Sequence, residues 1–309
     1  MDVLSDAITA IRTGRPHSGR VERHAPFHRL FPPAQGAGFH VVLQGSCWLI
    51  RPDDPPLPLA AGDVVFLPHG TSLALADSPS TPLTAEQPSS GPVGAPTVLL
   101  CGAYLFDRTR SHPLLGDLPE VIYLPARIGH HPALRTAVEM LGAELEQPGA
   151  GTDAVVQALL DLLLLQMLRA WLQEQSDSRA GTGWVAALND PAIAAALHAI
   201  HSDLARPWTV HDLGAVAGLS RAAFSRRFTA LVGRPPLTYL TWWRMTIAGR
   251  LLRASDAALS VIARQVGYGS EFAFASAFKR EHGVTTGQYR RAGSSSSPSA
   301  VYLEEDEGG

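Results

Sequence analysis

The chain has 309 residues, 46% of them hydrophobic, and its formal net charge of -3 hides an uneven distribution. Residues 1–205 carry 12 Arg against 20 acids, residues 206–292 carry 13 Lys plus Arg against 4 acids, and the last 17 residues add four more acids. Two cysteines, Cys47 and Cys101, exclude a disulfide scaffold, and the charge split excludes one uniform surface: the basic segment attracts a polyanion over about 8–10 Å, the acidic part does not.

The length suffices for two domains, each with its own core. The start, MDVLSDAITAIR, lacks the basic and apolar regions of a secretory signal, and residues 2–12 suggest a short amphipathic helix. From about residue 21 to 124 the text changes to short β-like runs punctuated by Pro and Gly. Residues 39–43 and 46–50 read as two strands around a tight Gln44-Gly45 turn, and runs at 57–59, 63–67, 72–76 and 97–104 follow. Residues 78–96, rich in Pro, Ser, Thr and Gly, read as a mobile loop. Regular spacing of short strands favours a small barrel or sandwich.

Helical periodicity begins near Pro132, with Leu134, Val138, Leu141 and Leu145, and ends at Gln147-Pro148-Gly149. Thr152 is a suitable N-cap for a second helix to about Glu174, which carries Val155, Val156, Leu159, Leu163, Met167 and Trp171 on one side. Asp161, Gln166 and Arg169 interrupt its apolar run short of a membrane span. The surplus apolar surface of this pair suggests a subunit interface, or else a cover for the barrel. Residues 175–183 read as a polar linker, and the linker as a whole is taken as 176–189. Asp190-Pro191 starts a helix to about Asp203, and the SerSerSerSerPro stretch with its acidic end is expected to be disordered.

The basic segment contains one pattern twice. Ser220, Phe224, Phe228, Gly233 and Tyr239 recur fifty positions later as Ser270, Phe274, Phe278, Gly283 and Tyr289. Leu213, Gly214, Ala217 and Gly218 recur forty-nine later as Ile262, Ala263, Val266 and Gly267. The slip of one falls where a turn would lie, so the unit is helix, turn, helix. The serines suit N-caps, and phenylalanines four apart form one buried stripe, which leaves the opposite face for a major groove. In the first copy that face offers Arg221, Ala222, Ser225 and Arg226, with Arg227 at its flank. Arg226 is the best base reader, because a guanidinium bridges guanine O6 and N7. The second copy offers Glu271, Phe272, Ala275 and Ser276, suited to cytosine N4 and thymine methyls, with Lys279 and Arg280 placed for phosphates. Between the copies, residues 236–254 should form one helix about 28 Å long, matched to grooves about 34 Å apart.

Residues 205–291 resemble the AraC/XylS family of bacterial transcription regulators, through Arg227-Phe228, Gly233, Tyr239, Arg244, Ala248, Leu251-Leu252, Ile262-Ala263, Gly267-Tyr268, Phe274, Phe278-Lys279, Gly283 and Tyr289-Arg290. Two departures are Thr286, where the family usually has proline before the last helix, and Ser276, where many relatives place arginine. Residues 2–125 look like the cupin-type sensor domain of one branch of that family, through Phe39-His40-Val41-Val42, Gly45-Ser46-Cys47-Trp48-Leu49, Gly62-Asp63-Val64-Val65, Leu67-Pro68, Cys101-Gly102-Ala103-Tyr104, His112-Pro113-Leu114-Leu115 and Leu118-Pro119. The resemblance implies a double-stranded β-helix that senses a signal and helps dimerise, and a regulator that recruits RNA polymerase. Cupin enzymes hold a metal with paired histidines and a carboxylate. Here His40 stands alone, Leu73 fills a place where relatives often carry histidine, and the adjacent His130 and His131 would splay apart, so neither a metal nor a cofactor is expected. Cys47 and Cys101 are either a redox pair or two buried packing residues.

The expectation is therefore an α+β two-domain protein. It has a β-rich cupin-like barrel (1–130), a helical pair for dimerisation (131–175), a linker (176–189), an all-α double helix-turn-helix domain (190–292) and a disordered acidic tail (293–309). The expected function is a cytoplasmic, homodimeric, sequence-specific regulator of double-stranded DNA, an activator and not an enzyme. A small molecule or oxidant would act at the first domain, with Cys47, Cys101 and His40 as candidate sensor residues. The alternatives are a metal-dependent cupin enzyme fused to a DNA-binding domain, or a first domain that only dimerises.

Overall fold

The computed structural model describes residues 3–34, 36–82, 95–106, 112–127, 129–177 and 183–293. The serine-rich acidic tail and most of the expected 78–96 loop lie outside the described residues. The chain divides into two compact units that interleave along the sequence. One is built on β-sheet and contains α3 and α4; the other is helical and gathers α1, α2 and α5 to α12.

In the sheet unit, β1 (Arg12–Arg23), β8 (Thr97–Phe106), β3 (Ala37–Gln44), β6 (Val64–Leu67) and β9 (Ile122–Leu124) form one sheet in that order. β2 (His28–Phe31), β7 (Leu73–Ala76), β4 (Ser46–Ile50) and β5 (Leu57–Ala60) form the other. β6 and β7 read VVFL and LALA and are buried at every position, as continuous apolar runs must be when both faces are covered. Between the sheets, Val42, Cys47, Leu49, Val65, Leu75, Leu99 and Cys101 pack into one core.

One strand reading holds with an unexpected topology, and one is corrected. β3 and β4 do flank the Gln44-Gly45 turn, yet they do not pair with each other. β3 pairs antiparallel with β6 and β8, β4 with β5 and β7, so the turn passes the chain from one sheet to the other. β1 begins well before residue 21; it is an edge strand of Arg, Gly, Ser and His, which gives no apolar alternation to read.

α3 (Pro132–Glu146) and α4 (Thr152–Asp177) complete this unit. Apolar residues run right around α4. Leu159, Leu160, Leu163, Leu164, Met167 and Trp171 are buried and Tyr104 donates its hydroxyl to the Leu160 carbonyl at 2.8 Å, whereas Val155 and Leu162 remain exposed. By length and composition the segment Thr152–Gln175 could cross a membrane despite its three polar breaks, but half of it is buried, as in a core helix.

The helical unit contains α5 (Gly183–Asn189), α6 (Pro191–Ser202), α7 (Val210–Val216), α8 (Arg221–Val232), α9 (Pro236–Ala254), α10 (Leu259–Gln265), α11 (Glu271–His282) and α12 (Thr286–Gly293). It also includes α1 (Val3–Ile11) and α2 (Pro113–Asp117), which linear order had assigned to the sensor domain. α1 buries Val3, Leu4, Ala7 and Ile8, and its Asp6 carboxylate lies 3.3 Å from His201 Nδ1. The other nitrogen of His201 meets the Tyr239 hydroxyl at 2.8 Å, giving a buried carboxylate–imidazole–phenol chain.

Residues 183–189 also correct the linker reading. There Trp184 is 1% exposed, with Val185 and Ala187 buried beside it, and its backbone N–H donates to the Asp117 carboxylate of α2 at 2.5 Å. The short apolar run Trp184-Val185-Ala186-Ala187-Leu188 is what makes this segment a packed helix, since the indole alone removes about 150–250 Å² from water.

Candidate nucleic-acid interface

The two repeats fold alike because the same backbone groups are satisfied in the same way. In the first, Leu219 N–H donates to Gly214 O at 2.9 Å; in the second, Tyr268 N–H donates to Ala263 O at 2.8 Å. Gly214 eases a close approach, since a Cβ there would sit 3.1 Å from Leu219 O, and the second copy meets the same need with the small Ala263. Gly267 is required twice over: its φ is +78°, and a Cβ would lie 2.6 Å from the Arg244 guanidinium and 2.7 Å from Ala205 O. Arg244 reaches past that turn from α9 and donates to the carbonyls of Leu204 (3.0 Å) and Arg206 (2.7 Å), so it ties α9 to the segment after α6.

Each second helix starts at its serine. Ser220 Oγ accepts from Ala223 N–H at 3.4 Å, and Ser270 Oγ accepts from Ala273 N–H at 3.2 Å. The additional residue of the second turn is Gly269, which follows the shared backbone bond, and Ser270 takes φ -145° where Ser220 takes -63°. Phe224, Phe228, Phe274 and Phe278 are fully buried, with ring centroids 5.4 Å apart in the first pair and 5.8 Å in the second. The opposite faces are free. Arg221, Ala222 and Arg226 are exposed on α8, with Ser225 half-buried. Glu271, Ser276, Lys279 and Arg280 are exposed on α11, Phe272 is 82% exposed and Ala275 half-buried. Among the described residues Arg221, Arg226, Lys279 and Arg280 hold no ion pair, which leaves their charge available to an anion.

Arg227 has another role. Its guanidinium grips Asp190 at 2.5–2.6 Å, and the same carboxylate caps α6 through Ala192 and Ile193 N–H, so this pair anchors α8 to α6. The absent proline at Thr286 is compensated by a reciprocal cap. Gln288 Oε1 accepts from Thr285 N–H at 3.0 Å, and Thr285 Oγ1 accepts from Gln288 N–H at 3.3 Å.

The sensor candidates meet in the other unit. β3 and β8 set His40 opposite Cys101, and His40 Nδ1 lies 3.1 Å from Cys101 Sγ. His40 is 1% exposed, its Nε2 has no hydrogen-bond partner among the described residues, and burial lowers its pKa to about 3, so it is neutral. Cys47 and Cys101 are free thiols in the inter-sheet core. Burial raises both to about 12, with Asp63 adding to the effect at Cys47 and Cys47 adding to it at Cys101. His69 does not join them: its Nε2 donates to Leu118 O at 2.9 Å. Among the described residues no three His, Cys, Asp or Glu gather as metal ligands.

Comparison with known proteins agrees with both units. The cupin family model matches residues 2–173 and a helix-turn-helix domain model matches residues 213–292. A putative AraC-like transcription regulator of Streptomyces antibioticus is 34% identical over 305 residues, covering 94% of this chain and 99% of the relative. This chain belongs to the AraC-like transcription regulators. The regulator MtrA of Neisseria gonorrhoeae is 32% identical, covering 82% of this chain and 86% of its own. A solved structure of the DNA-binding domain of AdpA with a target DNA is 35% identical, with a TM-score of 0.32, over 33% of this chain and 92% of that one. This AraC-type protein is thus a DNA-binding regulator and not an enzyme: a sheet-rich cupin domain joined to a helical domain with two helix-turn-helix units.

Proposed function

We propose that this regulator reads an asymmetric DNA site with α8 and α11 in successive major grooves. The carrying observation is that both helices bury their phenylalanine stripes completely while the side chains suited to DNA stay exposed or half-buried and the basic ones hold no ion pair among the described residues. Arg226 and Arg221 read bases beside Ala222 and Ser225. Glu271, Phe272, Ala275 and Ser276 give the second helix an apolar, thymine-directed face, and Lys279 and Arg280 hold phosphates. The chain acts as a homodimer through the α3–α4 pair, where Met140, Val155 and Leu162 are 50%, 40% and 38% exposed. It works in the cytoplasm, where the chromosome lies, and activates by recruiting RNA polymerase. A small-molecule effector fits the sheet unit better than an oxidant does, because thiols with a pKa near 12 are almost wholly protonated at neutral pH.

The test is footprinting on DNA upstream of its own gene and the neighbouring genes, repeated at several salt concentrations. The expected result is protection over two successive grooves, with affinity falling steeply as salt rises. Protection of a single groove, or a flat salt response, would overturn the reading.

A further inference from the structure

The exposed side of α11 carries two chemistries along its length. Phe272, near the N-terminal end, is 82% exposed, more than any other large hydrophobic among the described residues. Lys279 and Arg280, near the C-terminal end, are exposed and hold no ion pair among the described residues. The midpoint of these two cations lies about 11 Å along the helix from Phe272, at ~1.5 Å per residue. α11 also carries Glu271 at the Phe272 end and Glu281, half-buried, next to Arg280. The attraction for an anion therefore comes from the wider surface, since residues 206–292 hold 13 Lys plus Arg against 4 acids.

Residues 294–309, outside the described residues, have the complementary order in sequence: Val301-Tyr302-Leu303, then Glu304-Glu305-Asp306-Glu307, with no lysine or arginine among them. Extended, the middle of the apolar triplet and the middle of the acids stand about 12 Å apart, close to the spacing on α11. This segment follows α12, which packs on α11 through Tyr289 and Phe278, ring centroids 5.2 Å apart, and Phe278 directly precedes Lys279. From Gly293 the chain spans up to about 36 Å before Glu304, against ~8–10 Å between packed helices. A tether of that kind gives an effective concentration on the order of millimolar, so even a weak contact is populated within one chain.

We propose that residues 301–307 dock on the exposed side of α11 of the same chain, the apolar triplet against Phe272 and the four acids against Lys279 and Arg280. The contact is autoinhibitory, because it covers cations that DNA phosphates need. Competition lowers the apparent affinity for every DNA by the same factor. The complex with non-operator DNA, held by charge alone, is the one that this factor removes at working concentrations. The inference rests on the DNA-facing assignment of α11 given above.

The experiment is zero-length carbodiimide cross-linking of the full-length protein, read by peptide mass. Lys279 is the only lysine of the chain, so a lysine–carboxylate cross-link reports on α11 alone. The expected product joins Lys279 to one of the four acids within one chain, and excess random-sequence duplex suppresses it. Phe272→Ser should lower the yield about threefold or more. In fluorescence anisotropy with the same duplex, Glu304→Gln, Glu305→Gln, Asp306→Asn and Glu307→Gln together should tighten binding about fivefold or more. Val301→Ser, Tyr302→Ser and Leu303→Ser together leave the net charge unchanged and should still tighten it about twofold or more. The proposal is overturned if the acids do not cross-link to Lys279, or do so only between chains. It is equally overturned if Phe272→Ser or bound duplex leaves the yield unchanged, or if only the charge-removing variant tightens binding, the mark of a long-range charge effect. Anisotropy of the parent keeps the two readings apart: no binding of duplex sinks the DNA reading, while the cross-link formed without duplex judges the docking by itself.

Discussion

The two helix-turn-helix copies share a scaffold but not a surrounding. The first is enclosed: Trp184, Tyr239, Trp242 and Trp243 pack about it, and His112 lies edge-on to three indoles at 4.5, 5.2 and 5.9 Å. α1, α2, α5 and α6 all pack in that half, and the Arg227–Asp190 pair fastens α8 to it. The second rests on Met245, Ala248, Leu252, Ile262, Val266 and Tyr289, a core with no tryptophan, in which His282 stacks on Phe278 at 4.0 Å. Equal backbone bonding with unequal packing teaches that the repeat specifies a shape and its neighbours specify how firmly that shape is held.

The largest way to break this comparison is to remove one phenylalanine from each copy. Phe228→Ala and Phe278→Ala should each lose about 3–5 kcal/mol in urea unfolding. The tryptophans of the helical unit surround the first copy, so their fluorescence should report the Phe228 variant more strongly. Equal fluorescence responses would count against separate surroundings.

Acid should also separate the copies. His112 is held neutral in the first copy, its pKa lowered well below the ordinary 6.5 by burial first, then by His201 and Arg234. The unfolded chain binds that proton more readily, so the stability due to neutral His112 is complete above pH 6.5 and is lost as pH falls below it. Stability should therefore decline from about pH 6.5 downward, tryptophan fluorescence should follow, and His112→Asn, which keeps the acceptor for Leu114 N–H, should flatten the decline. An unchanged acid profile in that variant would exclude His112 as the cause.

At the DNA face, Arg226→Ala should cost about 1–3 kcal/mol on the best site and relax the preference at one position. Arg280→Ala should instead weaken all sites about equally and reduce the salt slope by about one. Selection from a random DNA library, with affinities at several salt concentrations, distinguishes these outcomes; identical behaviour would mean that the reading face is misassigned. The smallest expected effect is at the caps. Ser220→Ala and Ser270→Ala should each cost about 1 kcal/mol, measured by urea unfolding, and similar values would show that the shared scaffold is energetically equivalent in both copies.

Much of this was legible before any coordinates. α9 occupies residues 236–254 as its periodicity predicts, and the serine caps, glycine turns and phenylalanine stripes of both repeats fall where spacing places them. The candidate DNA-facing residues are the exposed or half-buried ones for the same reason: a helix that buries two phenylalanines four apart must turn its other face outward. Less legible were β1, whose polar edge strand carries no alternation, and α5, an apolar run of seven residues too short to show helical periodicity.

What the sequence by itself determined is local and periodic: the two repeats, their caps, the long helix between them and the strand-rich first half. The tertiary structure alone decided which distant segments share a core. It placed α1 and α2 with the DNA-binding helices, joined Asp6 to His201 and Tyr239, and set His40 against Cys101 within a core that burial keeps uncharged. The reason is physical. Helix caps and turn glycines act over four or five residues, whereas a buried carboxylate or indole is satisfied only by whatever the fold brings to it, here from up to 195 positions away.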